Sequence, residues 1–537
     1  MKPMILRRFA AFALALAVTC VAVHAGEPKL AGVFSDHAVL QRDLAVPVWG
    51  TAEAGTEVIV EFAGQKKTTV ADASGRWSAR LDPMLASAEP HDLTVSAAKN
   101  PARAIVVKDI LVGDVWVGSG QSNMAMPVSS YTAGDPVLDA DAKETYPHLR
   151  LLRMGAGQKW EEAKPDALQK FSALLFAFGH ALQAELRVPV GLMVGAASGT
   201  PSGFWLSEEM YRDAPACAEA VRKFAPTYNY DELLANYNEA KAKYDQDLAA
   251  WKPLAEAARE AGKPPPPAPC APQTIGKAGE ASYGQIGSFY EAWIRPVVGY
   301  GVKGVLWDQG EGGTDIVGVD QVTLMGALIG GWRKAWGQGD FPWLYVQKPS
   351  GGGCAWEYAD PLHRHADKFM PLPETIPAPP NDSYSHETFV RLMKYPATHM
   401  VTSSDLGGGT HPVNKSAYGA RAAQVALVAV YGRKIEYLGP LYASQQIDGG
   451  KVALSFTHVG KGLAFKNGDR LQGFMIAGED KHFVWADAVI DGDKVVVSSK
   501  DVPSPVAVRY AWAATFPWAN LFNQDGLPAQ PFRTDRW

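Results

Sequence analysis

The sequence predicts an α/β protein: a parallel sheet covered by helices on both faces, flanked by an N-terminal and a C-terminal β module and carrying a helical insertion. Three observations predict it. Between 109 and 433, short apolar runs alternate with helix-length segments. Before and after that span, apolar residues recur at every second position, the period of a half-buried strand. Residues 206–280 follow neither pattern, with aromatic and aliphatic residues at helical spacing and then a proline run.

The chain of 537 residues begins with Arg7-Arg8, an apolar run from Phe9 to Val23, and Val23-His24-Ala25. This reads as a signal peptide over 1–25, because the run is too short for a membrane span and ends in a small-residue cleavage site. Export to the periplasm or medium is therefore expected. The formal net charge is −5, and the leader would remove Lys2, Arg7 and Arg8, leaving a more acidic chain. Without a cluster of Lys and Arg there is no footprint for nucleic acid, and no second long apolar run calls for a membrane. Beyond the leader stand Cys217, Cys270 and Cys354. One disulfide is permitted, and pairing Cys217 with Cys270 would staple the insertion. No His or Cys spacing suits a metal; the closest, His363-Arg364-His365, reads as a solvated pair, so neither metal nor cofactor is expected.

Residues 26–108 read as a β-sandwich, from Val46-Pro47-Val48-Trp49-Gly50, the alternation of Val58, Val60 and Phe62, and a turn at Asp72-Ala73-Ser74-Gly75. The α/β domain, 109–433, is expected to hold strands at Ile110–Val117, Val188–Val194, Val302–Trp307 and Trp343–Gln347. Its helices are expected at Phe171–Leu186, Phe289–Val298, Val322–Trp336 and Ser416–Tyr431. Within 206–280, Leu234, Tyr237, Tyr244, Leu248 and Trp251 predict a helical hairpin whose return limb is stiffened by Pro264 to Pro267. From 434 to 537 the pattern is again β, with turns at Gly449-Gly450 and Asp491-Gly492.

The stretch VWVGSGQSNM, Val115 to Met124, ends a strand in two glycines, a serine and an amide. A loop this small can hold one hydroxyl at a sheet edge beside backbone N–H groups, as acyl transfer requires; it also suits an ordinary turn. Three further segments fall where strands end: GAASGTPSGFW (Gly195 to Trp205), WDQGEGGTD (Trp307 to Asp315) and SSDLGGGTHPVNK (Ser403 to Lys415). Ligand groups of open α/β sheets gather at the carboxyl ends of strands, so Ser122, Gly199, Gln309, Glu311 and His411 are expected to converge. Singly, His411 before Pro412 orders a helix start, Glu311 is a loop acid and Gly199 a turn. Together they supply a nucleophile, a base and oxyanion donors.

These segments, with FSDHAVLQRDLAVPVWG (Phe34 to Gly50), WRKAWGQGDFPWLYVQ (Trp332 to Gln347) and NLFNQDGLPAQPFRTD (Asn520 to Asp535), resemble the sialate O-acetylesterase family, a branch of the SGNH hydrolases. The resemblance runs from Val33 nearly to Trp537. It implies an SGNH-type (flavodoxin-like) hydrolase domain and a metal-free serine esterase removing acetyl groups from an acetylated sugar or oligosaccharide. Ser122 would attack and His411 take its proton. The N–H groups of Ser122 and Gly199 and the Gln309 side chain would hold the oxyanion, with Asn123 and Trp205 on the substrate. Relatives place an Asp shortly before the histidine, where this chain has Gly408-Gly409-Thr410, and follow Gln-Gly-Glu with Ser-Asn, where it has Gly312-Gly313. The acid that orients His411 is therefore Glu311 or Asp405, or the site runs as a Ser-His dyad. The acetylated sugar is a sialic acid or a plant wall glycan such as xyloglucan or xylan. A second reading is a glycan-binding protein that keeps the fold without turnover.

Overall fold

The computed structural model describes residues 27–381 and 384–537. The expected signal peptide lies outside the described residues. Among the described residues no helix is long and apolar enough to cross a membrane.

The central sheet contains six parallel strands: β1 (Asn100–Gly120), β2 (Tyr146–Arg153), β3 (Val190–Ala196), β4 (Gly304–Asp308), β5 (Trp343–Val346) and β6 (Thr398–Val401). Their spatial order is β2-β3-β1-β4-β5-β6, with Trp160–Ala163 antiparallel on the β2 edge. With β2 set aside, the remaining five run in the doubly wound order 2-1-3-4-5. Both faces are buried, as parallel sheets require. In β1, Val115 and Val117 enter one apolar cluster and Trp116 the other, and in β4 Val305 and Trp307 oppose Leu306 in the same way. One face is covered by α2 (Ala173–Leu186) and α5 (Lys415–Ala429), packed so closely that a Cβ on Gly419 would lie 2.4 Å from the Ala177 Cβ. The other carries α4 (Gln321–Trp336), whose Trp332 and Trp336 stack at 5.4 Å.

The boundary expected at 108/109 falls inside β1, whose 21 residues run from the N-terminal strands into the hydrolase sheet, with a bulge where Asp109 takes φ +55°. Upstream, Val46–Thr51 and Arg76–Leu81 belong to one sheet, and Glu57–Phe62 and Ser87–Ala97 to a second that continues through β1. Their inward residues Val48, Trp77, Val58 and Val95 share one core. The Leu40-Gln41-Arg42 stretch lies along β1. Gln41 Nε2 donates to Asp114 Oδ1 at 3.0 Å, and Arg42 clasps both Asp114 oxygens at 3.0 and 2.9 Å. After α5, strands such as Lys451–Thr457, Phe474–Ala477 and Ala507–Tyr510 build a further apolar cluster. Gln530 Nε2 reaches back to Thr402 Oγ1 at 3.0 Å, behind β6.

Two expected elements differ. The helix over Phe289–Val298 is a π-helical turn, Tyr290–Ile294, followed by a 3₁₀ turn, Arg295–Val297. Pro296 has no N–H to continue an α ladder. In place of a hairpin, 206–280 holds two shorter helices, Glu208–Arg212 and Pro215–Phe224, and then one long helix, α3 (Tyr230–Glu260), about 46 Å at 1.5 Å per residue. Its return limb is irregular because successive prolines cannot join a helix. Trp251 Nε1 donates to Pro266 O at 2.8 Å, and the Tyr228 hydroxyl to Gly276 O at 2.9 Å, so the limb is tied at both ends. Leu206, Tyr211 and Cys217 belong to the hydrolase core, so the separable part begins near 229. Cys217 is buried and Cys270 exposed, each a free thiol. Excising 230–275 and joining the ends with a short Gly/Ser linker is expected to leave a folded protein whose thermal midpoint moves by only a few degrees. Insolubility of the shortened chain would show that α3 carries part of the core.

Candidate active site

The connections leaving β1 and β4 run to opposite sides of the sheet, so a crevice opens between their carboxyl ends, the usual ligand position in such sheets. The two strands approach so closely there that a Cβ on Gly120 would lie 2.1 Å from Asp308 O, and Gly120 has φ +130°. Only glycine fits. Gln121 N donates to Asp308 O at 2.9 Å, and the chain turns at once into α1 (Ser122–Ala125), which Ser122 begins.

The neighbouring loops are fastened to this turn. Asn123 Nδ2 donates to Thr410 O at 2.8 Å and to Glu311 Oε1 at 3.1 Å. Serine and histidine loops are thus joined one residue away from each candidate, and His411 stands at the exposed rim. Gln121 Nε2 donates to Glu311 Oε2 at 2.7 Å and its Oε1 accepts from Gly312 N at 3.2 Å. On the β3 side, Ala197 N donates to Gly120 O at 3.2 Å, which brings Gly199, with φ +72°, to the same mouth. Gln309 Oε1 accepts from Gln321 Nε2 at 2.9 Å, fixing the amide so that its Nε2 faces the loop, where one hydrogen goes to Gly313 O at 2.9 Å.

Beneath the loops lies a chain of buried charges. Lys348 Nζ sits 2.8 Å from Asp308 Oδ1 and 3.0 Å from Glu311 Oε1. Lys415 Nζ donates to Asn123 Oδ1 at 2.7 Å and lies over the Tyr131 ring at 4.8 Å. Burial pushes the Asp308 carboxyl up against the opposing pull of Lys348. For Lys348 burial pulls down, but Asp308 and Glu311 outweigh it and hold the ammonium above its usual range. Burial brings Lys415 down to about 7. Unpaired charges in such a place cost several kcal/mol each. The alternation of acid and base is what lets the loops sit on a buried, charged floor.

Of the expected site residues, the structure gathers Ser122, Gly199, Gln309 and Glu311 with the His411 loop. The two acids require correction. Glu311 accepts from Gln121, Asn123 and Lys348, so it organises the serine loop rather than orienting the imidazole. Asp405 is buried away from His411, with its oxygens on Arg421 at 2.9 and 3.2 Å and on His363 Nε2 at 3.1 Å. His363 is accordingly interior and not a solvated loop residue. Asn123 and Trp205 also differ from expectation. The Asn123 amide is engaged on all sides, and Trp205 is fully buried, donating to Thr200 Oγ1 at 3.0 Å and stacking on Phe289 at 5.2 Å. Gln121, Asp308, Gln321, Lys348 and Lys415 were missed. Gln121, Asp308 and Lys415 lie inside quoted motifs, so proximity to candidate residues was the available signal for those three.

His37, Asp109 and Glu162, away from the mouth, come within metal-ligand reach of one another. The Arg150 guanidinium already sits there, 2.6 Å from Asp109 Oδ2 and 3.1 Å from His37 Nδ1, so the cluster is an ion-pair clasp with its cation built in.

A family model described as carbohydrate esterase, sialic acid-specific acetylesterase matches residues 112–250, the span holding Ser122 and Gly199. Sialate O-acetylesterases of Rattus norvegicus and Homo sapiens are 25% and 23% identical, each over 94% of this chain and over 94% and 92% of their own lengths. Among solved structures, a carbohydrate acetylesterase from Xanthomonas citri superposes with a TM-score of 0.70 at 29% identity, covering 95% of this chain and all of that one. With the serine, glycine and histidine loops brought to one crevice, the chain is similar along nearly its whole length to sialate O-acetylesterases and to a carbohydrate acetylesterase.

Proposed function

We propose that this is an exported carbohydrate O-acetylesterase working through a serine acyl-enzyme. The observation that carries the reading is the Asn123 bridge, which ties the loop of Ser122 to that of His411 at the switch point of the sheet. Ser122 Oγ attacks the acetyl carbonyl while His411 accepts its proton. The tetrahedral oxyanion is held by the N–H groups of Ser122 and Gly199 and by the second amide hydrogen of Gln309, aimed by Gln321. Donors placed where charge develops are typically worth about two to three orders of magnitude each in turnover. The C–O bond to the sugar then breaks, and His411 returns the proton to the leaving hydroxyl. Water, deprotonated by His411, attacks the acetyl-enzyme, and acetate leaves with Ser122 restored.

Among the described residues, no carboxylate partners His411. Its loop is held instead through the peptide: Thr410 O by Asn123, and Gly407 O by the Tyr418 hydroxyl at 2.8 Å. The site is a Ser122–His411 dyad on a clamped loop, with Glu311 and Lys348 as its floor. Export rests on the leader-like residues 1–25. The expected substrates are acetylated glycans, plant wall xyloglucan and xylan among them. Acetate release from acetylated xyloglucan and xylan fragments and from O-acetyl sialosides tests this directly, with p-nitrophenyl acetate as the small reference ester. Acetate is expected from at least one glycan. Release from none, with the aryl ester still cleaved, would remove the carbohydrate from the reading.

A further inference from the structure

We propose that Tyr283 forms the sugar-contacting wall of the crevice and selects a neutral pyranose over an acidic one; this rests on the esterase reading above. Trp205, the aromatic expected to meet substrate, is interior. The exposed ring at the oxyanion loop is Tyr283, 46% exposed, with its hydroxyl 3.4 Å from Gly199 O. Monomeric surfaces do carry single exposed apolar groups, but this one is held in place from three directions. One edge packs T-shaped on Phe204 at 5.4 Å. Its backbone N–H donates to Asp315 Oδ2 at 3.2 Å, and Ser282 N to Asp315 O at 3.0 Å. The next residue, Gly284, has φ +64° and passes so near Phe204 that a Cβ would lie 2.4 Å from its Cζ. The chain can therefore fold over Phe204 only at a glycine, and that fold turns Tyr283 outward.

A rigid aromatic with one polar end and an open face binds amphipathic partners at low entropic cost. A pyranose bearing C–H groups on one face and hydroxyls on its rim is such a partner. Because Gly199 belongs to the proposed oxyanion site, a sugar resting on Tyr283 would have its acetyl group near Ser122. The charge beside the ring is the half-buried Asp315 carboxyl, which burial raises to about 6. At neutral pH it is an anion and opposes the carboxylate of a sialic acid, whereas neutral hexoses and pentoses meet no such repulsion. Tyr283 also lies just past the end of the 206–280 segment, so the long excursion of the chain delivers this wall.

Tyr283→Ala and Tyr283→Phe in the full chain test the proposal, with kcat and KM measured on an acetylated xylo-oligosaccharide, an O-acetyl sialoside and p-nitrophenyl acetate. Tyr283→Ala is expected to lower the kcat/KM ratio of xylo-oligosaccharide over aryl ester about tenfold, through KM, and Tyr283→Phe to restore most of it. Equal losses on oligosaccharide and aryl ester would show that the ring only props the Gly199 loop and would overturn the proposal, as would an unchanged ratio or a wild-type preference for the sialoside. If the wild type releases acetate from no glycan, the carbohydrate part of the esterase reading fails on its own. Calorimetric titration with unacetylated xylohexaose then decides for Tyr283: binding that Tyr283→Ala weakens about tenfold supports the wall, and binding it leaves unaltered, or no binding at all, removes it.

Discussion

Ser122→Ala is expected to lower turnover of p-nitrophenyl acetate by about six orders of magnitude, to the background rate, with the thermal midpoint almost unmoved. The attacking oxygen has no substitute among its neighbours. Gln121, Asn123, Glu311 and Lys348 are held by one another, and none is a free nucleophile. Stability is spared because the hydroxyl is not among the bonds that close the loop, which run through Gln121 N, the Gln121 side chain and Asn123. His411→Ala is expected to cost a similar factor, and the double variant no more than either alone, since the two residues act as a unit. Stopped assays at high enzyme concentration with circular dichroism on the same samples check both halves. More than about 1% residual activity in either single variant would overturn the assignment.

Asp405→Asn is expected to do the opposite: lose about 3–5 kcal/mol of stability while the folded fraction keeps turnover within about tenfold of the parent. Arg421 and His363 are both buried against Asp405, and a neutral amide leaves the guanidinium without its counter-charge. Burial pushes the Asp405 carboxyl up, but Arg421 and His363 outweigh it and hold it well below the usual range. Its stabilisation is therefore present above the unfolded value near 4 and lost as pH falls through the depressed one. Burial pulls His363 down, but its bond to Asp405 outweighs this and raises it above 6.5. That contribution is full below 6.5 and lost as pH rises through the folded value. The cost of Asp405→Asn is thus largest between about pH 4 and 6.5, and thermal unfolding over a pH series measures it. Were Asp405 the triad acid, turnover would instead fall by about four orders of magnitude with geometry kept.

The sheet and its loops were legible because their signals are local. Val115-Trp116-Val117 reads as a strand buried on both faces, and it is one. Serine, glycine and histidine loops were placed by the rule that strand ends carry ligand groups, and hydrogen bonds join them. What stayed hidden depends on distant pairing. Asn123 and Lys415 lie 292 positions apart, and neither spacing nor composition shows that the ammonium caps that amide. Asp405 stood six residues before His411 and was weighed as its acid, yet Arg421, one helix later, determines where it points. Trp205 misled for a related reason: an aromatic beside a site loop is counted as a contact, whereas Phe289 and Trp332, far along the chain, enclose it.

The span of β1 across the 108/109 boundary also bears on how such proteins can be recombined. A crossover at residue 109 would splice foreign sequence into the middle of one strand, whose upstream half pairs with Ser87–Ala97 and whose downstream half carries Ser122 at its tip. The graft would have to reproduce register on both sides at once, including the clasp of Arg42 on Asp114. The N-terminal strands are thus inherited with the nucleophile as one unit. Viable chimaeras are expected to cross over in loops away from the mouth, such as 430–440, between α5 and the C-terminal strands.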